Sequence, residues 1–236
     1  MDYKNHSNMN INSFNFLNKR ALIRVDFNVP INNEGQVTDD TRIRMAIPTI
    51  KKVLESNGSV VLMSHLGRPK DEFEKKYSLS QIVSTVEKHL DQSISFAEDC
   101  ISEQAFKLTE NLQNGQVVLL ENLRFYAEEK KGDSSFAMKL AKHGDVYIND
   151  AFGTAHRAHA STAVIANYFK EDKMFGHLLE SEIKSVEKVL GYDGHPLTAI
   201  VGGAKVSSKI TILSNLISKV DHIIIGGGMA LSLIHI

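Results

Sequence analysis

The stretch RALIRVDFN, residues 20–28, is an apolar run that ends abruptly in Asp26 and Asn28. A near-continuous apolar run bounded by polar residues reads as a strand buried on both faces, and such strands belong to parallel sheets covered by helices. The same pattern returns in SVVLMSH (59–65), SISFA (93–97), QVVLLEN (116–122) and DVYIND (145–150). Segments with helical spacing separate these runs. Ile43, Ala46, Ile47, Ile50 and Leu54 form one stripe, which Pro48 is expected to kink. Ile82, Val83, Val86 and Leu90 form another, with Ser78 and Gln81 reading as its capping box. A helical stretch runs to Leu112, and residues 134–144 read as a helix closed by Gly144. The expected fold is α/β: a three-layer α/β/α parallel sheet of Rossmann-like type.

The chain divides unevenly. Residues 1–13 read as a polar N-terminal extension and 14–177 as a first domain. In 178–196 a helix with Leu179, Ile183, Val186 and Leu190 on one stripe runs into GYDGHP, and this segment reads as an interdomain helix and hinge. Residues 197–236 supply one βαβ unit, LTAIVGG, a helix from Lys205 and HIIIGGG, too little chain to bury its own sheet. They are expected to be the start of a truncated, incomplete second domain, with HIIIG a strand without partners and prone to aggregate.

A chain of 236 residues, 42% hydrophobic and 23% charged, is ordinary for a soluble globular protein. The formal net charge of −1 excludes a nucleic-acid coat. The one cysteine, Cys100, excludes an intrachain disulfide, fits a reducing cytoplasm and reads as a packing residue. No signal peptide or membrane span is recognisable.

The strand ends carry the chemistry. Asp26 and Asn28 form either an Asx turn before Pro30 or a pair that binds ligand hydroxyls and orients an arginine. Arg42 would by default pair with Asp39 or Asp40, yet a cation at a helix N-terminus also marks a bound anion nearby. His65 and Arg68 flank Gly67, whose freedom permits a tight turn on which both side chains converge on one phosphate. Arg124 follows VVLLEN, and Arg157 lies between His156 and His159. An arginine between those histidines argues against a metal site. In VGGAKVSSK (201–209), Gly202 and Gly203 lead into a helix bearing Lys205 and Lys209, either a phosphate-binding helix start or an ordinary βα turn. Together these positions describe one sheet edge lined with guanidinium groups, a site for a small, multiply charged anion.

RVDFNVP, TRIR with PTI, SHLGRP, LLENLRF, INDAFGTAHRAHAST, VGGAKVSSKI and GGGMA, in this order, closely resemble the signature segments of the phosphoglycerate kinases, from about Phe14 to Ala230. The resemblance implies reversible phosphoryl transfer between 1,3-bisphosphoglycerate and ADP, giving 3-phosphoglycerate and ATP, by a cytoplasmic monomer of two α/β domains. It assigns Asp26, Phe27, Asn28, Arg42, His65, Leu66, Gly67, Arg68, Arg124 and Arg157 to the acid substrate. Arg42 and Lys205 become the catalytic pair on either side of the hinge, and Gly203, Lys205, Lys209, Gly227 and Gly228 become nucleotide-binding. Mg2+ would enter with ADP or ATP, without a dedicated protein site, and neither nucleic acid nor membrane is an expected partner. The chain would carry the acid-substrate half and be inactive alone. LSLIHI after Ala230 departs from the family pattern. The competing readings are a non-catalytic small-anion-binding α/β module and an unrelated nucleotide-binding α/β enzyme.

Overall fold

Strand β1, Arg20–Val25, is buried from Ala21 to Val25 because both of its faces are covered. Its alternate residues enter different cores. Ala21, Ile23 and Val25 pack with Ile43 and Ile50, whereas Leu22 packs with Phe136, Ala137 and Leu140. A continuous apolar run is therefore two interleaved half-strands, one for each helical layer.

The computed structural model describes residues 10–155, 157–191, 194–203 and 210–234. After β1 come α1 (Thr41–Glu55), β2 (Ser59–Met63), α2 (Val83–Leu90), β3 (Ser95–Ala97), α3 (Glu103–Glu110) and β4 (Val117–Leu120). Then follow α4 (Ala127–Lys131), α5 (Ser134–Ala141), β5 (Val146–Asp150), α6 (Phe152–Ala155), β6 (Lys173–Phe175) and α7 (His177–Leu190). The first six strands form one parallel sheet in the order β3-β4-β2-β1-β5-β6. The expected α/β class and parallel sheet are thus present, with helices on both faces.

Helix α1 runs through Pro48, which lies on its exposed side. Other local expectations need correction. Ser78 caps only a 3-10 turn at Leu79–Ile82, accepting from the Ser80 N–H; its hydroxyl donates to Glu121, and the Gln81 amide donates to the Ser78 and Lys75 carbonyls. The reciprocal bond of a capping box is therefore not formed. Strand β6, in the segment EDKMF, adds a sixth strand that no apolar run announces.

The chain separates into two compact units between Glu182 and Ile183, inside α7. In the second, β7 (Thr198–Gly202) pairs in parallel with β8 (His222–Gly226), accompanied by α8 (Ile210–Ile217) and α9 (Gly228–Ile234). HIIIG is therefore not partnerless: it has one neighbour, β7. Among the described residues no helix is long and apolar enough to cross a membrane.

Candidate functional site

In the first unit β1 lies centrally, between β2 and β5, and the chain reverses its direction of sheet growth beside it. Ligands of open α/β sheets bind outside the carboxyl ends of the strands at such a point. An open cleft of about 260 Å3 lies there, lined by Asp26, Asn28, Arg42, His65, Gly67, Arg68, Arg124, Gly153, Thr154 and Arg157. Its walls are the segments that follow β1, β2, β4 and β5.

The walls after β1, β2 and β4 are tied to one another. The Asp26 carboxylate accepts from the Asn28 N–H at 3.2 Å, making the Asx turn, and from Arg42 Nη1 at 3.0 Å. The Asx turn and the orientation of an arginine therefore coexist in this pair. Arg42 pairs with Asp26, whereas Asp40 pairs with Arg44 and meets His89 Nε2. The Asn28 side-chain oxygen accepts from the Gly67 N–H at 2.8 Å, and the Gly67 carbonyl accepts from Arg124 Nη1 at 2.7 Å. Gly67 has φ +62° and its α-carbon faces the Tyr77 ring, so a side chain would meet strain and a clash together. Asn122 spans the loops, donating to the Leu66 and Tyr77 carbonyls at 2.8 Å each.

Four guanidinium groups face one carboxylate, Asp26, across this cleft. Arg124 is buried, and burial together with Arg157 and Arg24 lowers its proton affinity. His65 does not add a fifth charge. Burial foremost, then the charges of Arg24 and Arg124, push its imidazole down to about 2, so it is a neutral hydrogen-bonding group. The expected basic patch is therefore one of arginines with a neutral histidine among them. Arg68 and Arg157 are exposed, with the Arg157 N–H held by the Thr154 carbonyl at 3.0 Å.

Phe27 and Leu66 do not line the cleft; their side chains are buried, and their backbones hold the loops through Ser64 and Asn122. Gly153 and Thr154 line it and were not singled out from the sequence; the small residues in DAFGTAH were the available signal. Gly203 and Gly227 follow the carboxyl ends of the adjacent strands β7 and β8, and Gly228 begins α9. Lys205, Lys209 and His156 lie outside the described residues. Cys100 is buried and its thiol is pushed well up by burial, as suits packing. Among the described residues no group of three or more His, Cys, Asp or Glu side chains could hold a metal ion.

Fold and cleft define a class: a doubly wound α/β domain with an arginine-lined cleft at the carboxyl edge of its sheet. The family model for phosphoglycerate kinase matches residues 11–236. The chain belongs to the phosphoglycerate kinase family. It is 51% identical over 211 residues to a phosphoglycerate kinase of Prochlorococcus marinus, covering 89% of this chain and 52% of the relative. A Porphyromonas gingivalis phosphoglycerate kinase is 49% identical over 245 residues, covering 94% and 58%. Among solved structures, the Coxiella burnetii phosphoglycerate kinase aligns with a TM-score of 0.79 at 41% identity, over 92% of this chain and 54% of that one. The Pyrococcus horikoshii enzyme aligns at 0.81 and 32% identity, over 91% and 54%. The chain spans about half the length of the curated relatives it matches.

Proposed function

We propose that the first unit is the acid-substrate half of a phosphoglycerate kinase, which moves a phosphoryl group between 1,3-bisphosphoglycerate and ADP. The observation that carries this reading is the cleft's imbalance of four guanidinium groups against one carboxylate. Family membership supports a phosphorylated glycerate as the anion that such a cleft would serve.

Phosphoryl transfer needs positioning and charge neutralisation more than covalent chemistry from the protein. Arg124, held by the Gly67 carbonyl, and the neighbouring Arg68 and Arg157 would take the phosphate and carboxylate of the acid. Asn28 and Asp26 would set the glycerate portion. Asp26 also fixes the direction of Arg42, the residue assigned to the phosphoryl group in flight. Each charge-assisted hydrogen bond would contribute about 1.5–3 kcal/mol. Lys205 and Lys209, with Gly203, Gly227 and Gly228, belong to the nucleotide side of the proposal. Mg2+ would enter as the counter-ion of the nucleotide phosphates, and turnover would require the two halves to close and exclude water. A monomer in the cytoplasm is the expected setting of the full-length protein.

All cleft residues belong to the first unit, so binding is testable without turnover. Calorimetric titration of this chain at low salt should show saturable binding of 3-phosphoglycerate, tighter than inorganic phosphate. Equal affinity for the two would reduce the cleft to an unselective anion site. Absent binding by a folded chain would remove the assignment.

A further inference from the structure

Behind the cleft, a buried polar chain runs along one face of the sheet. The alternation of β1 turns Arg24 to the same face as Leu22, toward the segment from Ala160 to Ile165, and leaves it 1% exposed, the largest fully buried side chain among the described residues. It does not line the cleft. Its Nε donates to Ser161 Oγ at 2.9 Å, its Nη1 to the Val25 carbonyl, and its Nη2 meets His65 Nδ1 at 3.1 Å. Ser161 is held in turn by Glu129, also 1% exposed: its hydroxyl donates to Oε1 at 2.6 Å and its N–H to Oε2 at 2.9 Å.

The chemistry of the groups fixes the direction of each bond. A guanidinium has donors and no acceptor, so His65 Nδ1 must offer Arg24 a lone pair. The ring's single proton then sits on Nε2. The Ser161 hydroxyl has one proton, which goes to the Glu129 carboxylate, and its lone pair receives Arg24. Glu129 is also the buried counter-charge of Arg24, linked through that hydroxyl, and a buried charge left without a partner is costly.

We infer that Glu129 and Ser161 are positioning residues: through Arg24 they lock His65 as a neutral imidazole that offers an Nε2–H donor to the cleft. The value of this donor rests on the anion-site reading of the cleft, but the lock itself does not. With Nδ1 taken, Nε2 is the one polar ring atom left to the cleft wall. The strongly depressed proton affinity of His65 keeps the ring neutral, so the donor is present throughout the ordinary pH range.

The test is long-range nitrogen–proton NMR of the chain labelled at histidine, with His65→Gln identifying the His65 signals. The wild-type ring should be wholly in the Nε2–H form and should not titrate between about pH 8 and 5, across the ordinary histidine range. An Nδ1–H form, averaged tautomers or titration in that window would overturn the inference without any variant. Ser161→Ala should bring in the second tautomer and lower 3-phosphoglycerate affinity by up to about tenfold, the loss of one net hydrogen bond. Ser161→Thr, which keeps the hydroxyl, should retain the locked form; an unchanged tautomer in a folded Ser161→Ala chain would overturn the role of Ser161. If 3-phosphoglycerate leaves the locked His65 signals unmoved, the lock stands and the substrate assignment fails.

Discussion

In the cleft, Arg42 is paired with Asp26 before a ligand arrives. Arg42→Ala should therefore do two things, removing a donor and baring a carboxylate to an incoming anion. A fall in 3-phosphoglycerate affinity of roughly 10- to 100-fold is expected from the lost charged hydrogen bond. Asp26→Asn added to Arg42→Ala should recover part of that loss, because the repulsion goes with the charge. If calorimetry finds the double variant no tighter than Arg42→Ala, Asp26 is only a structural anchor. The arginines were legible because a charged residue closing an apolar strand is a local pattern. Glu129 and Ser161 were not, since Ser161 reaches Arg24 across 137 residues of sequence and nothing near either marks the meeting. The neutrality of His65 was hidden for the same reason: burial beside Arg24 is a property of the fold and not of the SHLGR stretch.

Between elements, Asp150 performs a similar joining task. It ends β5, and its Oδ1 accepts from the Leu179 N–H at 3.1 Å in the first turn of α7. Gly176 lies so close that a side chain there would collide with this carboxyl group. Oδ2 is buried without a hydrogen-bond partner, and burial raises the Asp150 proton affinity although Thr49, Leu179 and Leu178 pull against it. A carboxyl group whose folded pKa exceeds its unfolded one holds its proton better in the native state. Stability is then greatest below the unfolded pKa and is lost as pH rises through the folded one. Asp150→Asn keeps the acceptor and has no charge to bury. Its stability advantage over the wild type in urea unfolding should therefore grow from about pH 4 toward 7. A pH-independent difference, or one that shrinks toward neutrality, would contradict the account. The β5 strand itself could be read directly, since DVYIND is buried throughout. Strand β6 could not: it has three residues on the sheet's edge, of which only Met174 is buried, so no apolar run reports it. Ser78 misled because its local cap closes at the Ser80 N–H while its hydroxyl proton goes to Glu121, 43 residues away, a partner that the local pattern does not report.

At the scale of the whole molecule the two units differ in what they leave to water. In the second, Ile200 is 76% and Ile224 52% exposed, on adjacent strands of a two-stranded sheet. Exposed isoleucines on a short sheet favour association. Light scattering should show a mass that rises with concentration, and Ile200→Glu should lower it without changing the melting of the first unit. A constant monomer mass would rule this out. The first unit carries a different consequence. Its cleft needs β1 seated against β5, and Arg20 meets Asp145 across 125 residues. On the ribosome, then, no nascent chain offers a complete anion site until the segment through Arg157 has emerged. Such long-range pairing is slow to form. A metabolite in the surrounding fluid would have nothing to grip while the chain is being made. It would act afterwards, trapping the finished domain and withdrawing it from chaperones and proteases by mass action alone.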